Sequence, residues 1–503
     1  MSAERVRKIV ILGGGSAGFL TALTFLRTMP DLAVTMVRSP NVPVIGVGES
    51  TTTAVPRYIH EVLGLDRKEF FDEVRPSWKL GIRYEWGAPE DSHFNYTFDP
   101  CMEVQLKPLS RVNAFASMAD FSDSSPYWAL MDRGRAPCMR GPNGSFIADE
   151  NPGYHIENKT FIAHLERKAV KFGLNIVSGD VVDAARDESG DVTSLKLEDG
   201  QEIAGDLFVD CSGFRSFLLR EKMEQSYIDY SSTLFCNAAV VGSWKRDDAI
   251  RPYTTAETMD HGWCWRIDFE EHVTRGYVFS QEFCSDDEAM REMKEKNPQL
   301  GDDLRIVRFK TGRYEKFWVN NVVAIGNASG FVEPLEATAL HLVIEQLRLL
   351  RLALSDGMYR INPALREVQN QRFAVLWDDV RDFLAVHYKY NRRLDTPFWK
   401  HCQNETDLAG AAELVDLYYH AGPSAICDAL IPNKTIFGFN GYLTMFVCQR
   451  IPTKCVPDLD VEEKQRWEQY RKNIRERAEM NLLTRDALKI VNDPRYRWSR
   501  PGV

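Results

Sequence analysis

The sequence predicts an α/β fold: a core built largely on a parallel sheet, with β segments inserted into it, followed by a helical C-terminal lobe. Three observations predict it. The first 37 residues read as strand, glycine turn, helix and strand. Buried-strand runs then recur as far as Ile325, several ending in glycine turns. From about residue 365 the composition turns helical and aromatic, with no repeat, low-complexity tract or Ser/Gly linker before the end.

Val6 to Leu12 is an apolar run of strand length. Gly13-Gly14-Gly15-Ser16-Ala17-Gly18 follows, then a helix carrying Leu20, Leu23 and Leu26, then a second strand over Ala33 to Val37. Residues 77–86 alternate, with Trp78, Leu80, Ile82, Tyr84 and Trp86 on one face and Lys79, Gly81, Arg83 and Glu85 on the other. Residues 92–155 are aromatic and punctuated by Pro and Gly, and are expected to be long irregular connections. Phe161 to Phe172 reads as an amphipathic helix leading into short strands around 174–178, 181–184, 191–197 and 207–210. Ser189-Gly190 and Asp199-Gly200 supply turns between them. Val322 to Ile325 is another buried strand. A long helix starts near Thr338 with Leu340, Val343, Ile344, Leu347, Leu350 and Leu354 as its stripe. A charge-dense helix from about 460 carries the narrow stripe Trp467, Tyr470, Ile474 and Ala478. The expected organisation is a module over 1–380, with inserted β segments at about 77–155 and 215–320, and a helical lobe over 381–503.

At 503 residues, 44% hydrophobic and 27% charged, the chain has the composition of a globular protein with a sizeable core. The 62 basic and 72 acidic residues give a net charge of −10, which argues against nucleic acid or an anionic membrane as partner. No apolar run approaches the roughly 20 residues needed to span a bilayer. The stretch behind Arg5, Arg7 and Lys8 is too short for a signal peptide, so a cytoplasmic protein is expected. Ten cysteines occur without a Cys-x-x-Cys pair, and His93, His155, His261 and His387 have no ligand spacing. Neither a disulfide framework nor a metal site is expected.

Gly13-x-Gly15-x-x-Gly18, with Ser16 and Ala17 opening the helix, is the dinucleotide fingerprint in its proper place. Its glycines let the backbone approach a pyrophosphate, and the helix N-terminus faces that negative charge. The acid expected at the end of the second strand is absent; Arg38 stands there, which leaves NADP open through its 2′-phosphate. Three further loops favour FAD, whose length needs several separated contacts. They are Gly46 to Thr51 with Gly48, Glu49 and Ser50, Asp206 to Gly213, and Gly326 to Leu335. Val181 and Leu340 complete the expected cofactor set. No second fingerprint marks a separate nicotinamide domain.

With these loops in view, the sequence resembles the flavin-dependent halogenases of the tryptophan halogenase family, to at least residue 400. Pro76-Ser-Trp-Lys79-Leu-Gly-Ile-Arg-Tyr84 is similar to the stretch carrying that family's catalytic lysine. Trp263-x-Trp265-x-Ile267 is similar to its Trp-x-Trp-x-Ile-Pro hallmark, Phe331 to Thr338 to its Pro-Leu-Glu-Ser-Thr segment, and Asp395 to Trp399 to a further segment. The resemblance implies an FAD-binding Rossmann core of the glutathione-reductase-like, hydroxylase type, with an added C-terminal helical substrate lobe. It implies that reduced FAD, O₂ and a halide ion, chloride or bromide, yield hypohalous acid. That oxidant crosses a tunnel to a lysine beside an electron-rich aromatic substrate. A separate flavin reductase supplies FADH2.

Carried onto this chain, the resemblance makes Lys79 and Glu336 the catalytic pair and Thr338 and Ala339 the halide site. A bland reading of Lys79 is a solvated strand face, and of Glu336 an acid favoured by a helix start. Trp263 and Trp265 would keep substrate from the flavin, although Asp268 replaces the motif's proline. Ala337, Thr338 and Ala339 stand where Ser, Thr and Gly are common, which puts a serine-mediated coupling of flavin and substrate sites in doubt. Tyr96, Phe98, Trp263, Trp265, Phe437, Phe439 and Tyr442 are the expected substrate pocket. No Asp or Glu lies between Asp428 and Asp458, so an ammonium there would lack a partner, and an uncharged indole is expected over tryptophan. Asp149 or Glu150 could supply the acid from elsewhere. The alternatives are an FAD/NADPH aromatic hydroxylase and a halogenase of free tryptophan.

Overall fold

The computed structural model describes residues 5–42, 48–99, 122–141, 146–149, 152–423, 436–456 and 458–498. Two compact units divide the chain. The first is drawn from Met1–Arg75, Ile156–Asp229 and Phe309–Trp377, the second from Pro76–His155, Tyr230–Arg308 and Asp378–Val503. The inserted β segments and the C-terminal helices therefore cluster together.

In the first unit a six-stranded sheet runs in the order Asn175–Ser178, Ala33–Arg38, Lys8–Leu12, Leu207–Asp210, Val322–Ala324 and Trp318–Val319. The first five strands are parallel and the last is antiparallel. After the exposed Lys8 the central strand reads Ile-Val-Ile-Leu, because where a strand is covered on both faces it needs apolar residues at successive positions. Its glycine turn feeds the helix Ser16–Thr28. The antiparallel strands Val181–Arg186, Val192–Leu197 and Glu202–Ala204 add a layer whose Val181, Leu195 and Leu197 pack with Val37 and Phe208. The expected helices are Asn158–Lys171 and Ala339–Asp356.

The second unit is built on a seven-stranded sheet: Arg305–Arg308, Ala238–Lys245, His272–Phe279, Gly262–Asp268, Thr254–Met259, Gly81–Glu85 and Phe94–Thr97. Its pairings are antiparallel except that of Thr254–Met259 with Gly81–Glu85. Beside it, Ser77–Lys79 pairs with Gly153–Ile156. The helix Pro363–Tyr390 contributes its residues from Asp378 onward. The charge-dense helix is Val461–Glu479, and its Trp467, Ile474 and Ala478 are buried as the stripe requires.

Two expectations change. Residues 92–155 are more regular than their composition suggests. They hold the strands Phe94–Thr97, Arg135–Arg140, Phe146–Ala148 and Gly153–Ile156 and the helix Pro126–Asp132, whose Ser125 cap accepts from the Trp128 N–H. These elements are too short for their periodicity to be read against Pro and Gly; residues 100–121, 142–145 and 150–151 lie outside the described residues. The alternating run 77–86 is two strands that break at Leu80, whose N–H donates to the Pro252 carbonyl. Both of its faces are covered: Lys79 is 0% exposed, so the solvated-face reading fails. No described helix is long and apolar enough to cross a membrane.

Candidate active site

At the fingerprint, Gly13 has φ +117°, and a Cβ there would lie 2.3 Å from the Cys211 carbonyl oxygen. A Cβ on Gly18 would lie 2.0 Å from the Gly13 oxygen, whereas the space at Gly15 is open. Only glycine permits this turn. The helix Ser16–Thr28 has no side-chain cap and no acid in its first turn. Its first N–H groups thus fit a pyrophosphate at Gly15, Ser16 and Ala17. Gly326 closes on the same helix, since a Cβ there would lie 3.2 Å from the Ala17 Cβ. Gln346 fixes that turn by accepting from the Gly326 N–H (3.0 Å) and donating to Ser329 Oγ (2.9 Å). Inside an apolar helix stripe, Gln346 escaped the sequence reading.

Around this framework, Glu49 accepts from Asn158 Nδ2 at 3.2 Å, and burial pushes its carboxyl up to about 7. Gly48 and Ser50 flank it; Gly46 and Val47 lie outside the described residues. Arg38 ends its strand with Nη1 2.8 Å from Glu166 Oε2. Val181 gives its side chain to the core layer, which leaves only its main chain for a ligand.

Glu336 ends the short helical turn Pro334–Glu336 and is 2% exposed. Ala337 follows with φ 56°, a left-handed conformation that costs about 1 kcal/mol for a residue with a Cβ. Thr338 then heads the helix Ala339–Asp356, again without a side-chain cap or a first-turn acid. Thr338 and Ala339 accordingly stand at an open helix start, with Leu340 buried behind them.

In the second unit the Lys79 ammonium lies 5.0 Å from the Phe98 ring centroid. Strand register sets Lys79 opposite Gly153, which has no side chain to crowd it, and Ser77 opposite His155. The buried His155 ring reaches Thr254 Oγ1 at 2.9 Å and Ser77 Oγ at 3.3 Å, and Ser77 Oγ donates to the Asp268 carbonyl at 2.8 Å. Burial, then the Lys79 charge, push His155 down to about 3, so the ring is neutral at pH 7. Among the described residues no group of His, Cys, Asp and Glu could hold a metal ion.

Trp263 and Trp265 share a face with centroids 6.0 Å apart. The Trp265 ring covers Gly276 so closely that a Cβ there would lie 1.9 Å from it. Asp268, in place of the motif's proline, is a buried partner of Arg266 (2.7 Å) and accepts from the Arg251 N–H. Three of the residues expected at the substrate pocket form an aromatic wall around Phe383, which the sequence reading missed. Phe437 stacks on it at 3.9 Å, Tyr442 meets it edge-on at 4.9 Å and Tyr96 lies at 5.9 Å. Phe439 is half-buried nearby in sequence. This wall does have an acid: Asp379, one turn before Phe383, accepts from the Ile436 N–H at 2.8 Å, and burial pushes its carboxyl up to about 7. Asp149 is engaged by the Tyr127 hydroxyl (2.5 Å). Glu150 and residues 424–435 lie outside the described residues.

A glycine-framed parallel core and an antiparallel unit whose buried Lys79 lies over the Phe98 ring fit the flavin-dependent halogenases. The tryptophan halogenase family model matches residues 8–463, and the chain belongs to that family. It is 33% identical to the tryptophan 7-halogenase KtzQ of Kutzneria sp. (strain 744), over 83% of this chain and 82% of that one. The structure of MibH, a lanthipeptide tryptophan 5-halogenase, matches with TM-score 0.90 and 34% identity, covering 97% of this chain and 94% of that one. BrvH, a flavin-dependent halogenase from Brevundimonas sp. BAL3, matches with TM-score 0.85 and 27% identity over 97% and 99%.

Proposed function

We propose that this enzyme uses FADH2, O₂ and chloride or bromide to halogenate an electron-rich aromatic ring of the indole class, with Lys79 presenting the oxidant. The observation that carries this reading is the fully buried Lys79, set under Phe98. FAD would be held by Gly13, Gly15, Ser16, Ala17 and Gly18 at its pyrophosphate, by Arg38 and Glu49 toward the adenosine, and by Gly48, Ser50, Val181, Gly326 and Leu340 along its length. When bound and reduced, it supplies with O₂ the oxidising equivalent that converts halide to hypohalous acid.

The residues do the rest. The N–H groups of Thr338 and Ala339 hold the halide at their helix start. Lys79 either donates a hydrogen bond that polarises hypohalous acid or, as the amine, forms an N–halogen bond and releases water. Transfer of the halogen to a ring carbon leaves one proton to be lost, and Glu336 is assigned to take it. Trp263 and Trp265 fill space beside the reacting region. Tyr96, Phe98, Phe437, Phe439 and Tyr442 hold the ring by stacking. A separate flavin reductase supplies FADH2, which suits a chain with a single dinucleotide fingerprint.

A second reading, in which the indole belongs to tryptophan or to a tryptophan within a peptide, is favoured by Asp379 at the aromatic wall and by the substrate in the name of MibH. Mass spectrometry of indole, tryptamine, tryptophan and a tryptophan-containing peptide, with each halide and a flavin reductase, separates the readings. Halide-independent hydroxylation driven by NADPH alone would overturn both.

A further inference from the structure

Where the second strand of a dinucleotide fold ends in an acid, that acid grips the ribose hydroxyls; where an arginine stands there, it can accept a 2′-phosphate. This chain has Arg38, but the structure gives the arginine a partner. Its stem lies across the fingerprint turn, so that a Cβ on Gly14 would be 3.0 Å from the Arg38 Cβ and 3.1 Å from its Cδ. Its Nη1 meets Glu166 Oε2 at 2.8 Å, and the two side chains are 37% and 30% exposed, at the rim of the turn and not in the core. Glu166 belongs to the helix Asn158–Lys171, whose first residue, Asn158, donates to Glu49. A third acid, Asp180, is held close to the same strand end: Asn41 Nδ2 donates to it at 2.6 Å, and the Gly179 N–H donates to the Arg38 carbonyl.

We propose that the Arg38–Glu166 pair selects the nucleotide: Glu166 neutralises Arg38 and holds it beside Gly14, so the site takes an adenosine whose ribose carries no 2′-phosphate. A 2′-phosphate would meet Glu166 and Asp180 as like charges and would have to break the pair to reach Arg38. The same pair therefore favours FAD over NADPH without an acid at the strand end. The inference rests on the flavin reading of Gly13 to Gly18.

Calorimetric titration with ADP and 2′,5′-ADP, beside fluorescence titration with FAD, tests it. The parent should prefer ADP to 2′,5′-ADP by about tenfold or more, and Glu166→Gln should narrow that ratio by about tenfold through tighter 2′,5′-ADP binding. The double variant Arg38→Ala/Glu166→Gln should lose the gain. An unchanged ratio in Glu166→Gln, or a gain that survives in the double variant, overturns the selector role. Failure of the parent to bind FAD overturns the flavin reading instead.

Discussion

The two units differ in the kind of contact they offer a ligand. In the first unit the candidate contacts are mostly main chain: glycine turns at Gly13 and Gly326 and two uncapped helix starts, at Ser16 and Ala339. In the second they are side chains brought from three separate stretches: Lys79 and Tyr96, Trp263 and Trp265, then Asp379, Phe383, Phe437 and Tyr442. A main-chain site is written as a contiguous motif, because a few residues fix all of its N–H directions. A side-chain site has no such local signature. If the division is functional, variants in one unit should leave the other's measurement untouched.

The largest effect is expected at Lys79. Lys79→Ala should lower halogenation by about a thousandfold or more, the scale of losing a reactive side chain. FAD affinity and trappable hypohalous acid should persist. Loss of FAD binding along with halogenation would break the comparison.

The reciprocal test is Ser16→Asp. An acid at the first position of a helix stabilises it by about 0.3–1 kcal/mol, yet here it faces the expected pyrophosphate. FAD affinity should fall by about tenfold to a hundredfold while the melting temperature holds or rises, since 1.4 kcal/mol is a factor of about ten. A fall in both would mean the helix start is structural.

Gly276→Ala probes the aromatic side. Its Cβ would lie 1.9 Å from the Trp265 ring, so the ring must move. Overpacking of this kind costs about 1–3 kcal/mol, readable in a urea melt. If Trp265 shapes the reacting region, the fraction of oxidant that reaches product should fall as well; a pure stability loss would make it an ordinary core residue.

How much was legible follows the same line. The fingerprint, the helix starting at Ala339 and the stripe through Trp467, Ile474 and Ala478 could all be read because each repeats a local spacing. Lys79 could not be seen as buried, because alternation reports one covered face and says nothing of a second. Phe383 is one aromatic in the 28-residue helix Pro363–Tyr390, and only the fold brings Phe437 and Tyr442 onto it. His155 and Glu166 gain meaning only from distant partners: Ser77 and Thr254, 78 and 99 residues from His155, and Arg38, 128 residues from Glu166. Asp379 beside the Phe437 and Tyr442 wall could not be read for the same reason, since it precedes its partner Ile436 by 57 residues.

The smallest effect expected is at that acid. Asp379 and Phe383 are four residues apart on one helix face, so a ring stacked on the wall would bring its substituents toward the carboxyl. Asp382, Arg381 and Asp378 lie on the same helix, Tyr442 feels the charge of Asp379 and Asp382, and Tyr230 donates to Asp378. With its carboxyl pushed up to about 7, Asp379 is mainly neutral at pH 6 and ionised at pH 8. KM for cationic tryptamine should therefore fall as pH rises from about 6 to 8, while KM for uncharged indole stays flat. Asp379→Asn keeps an acceptor for the Ile436 N–H; it should raise KM for tryptamine at pH 8 by about fivefold, remove its pH dependence and leave indole alone. The stability of the parent should carry the matching sign. A carboxyl raised from about 4 to about 7 favours the folded state fully below pH 4, and that contribution is lost as pH rises through 7, so the variant's stability should vary less with pH over this window. Equal KM shifts for tryptamine and indole would mean that Asp379 only ties its helix to Ile436, and the wall would be what its sequence suggests, a surface for an uncharged ring.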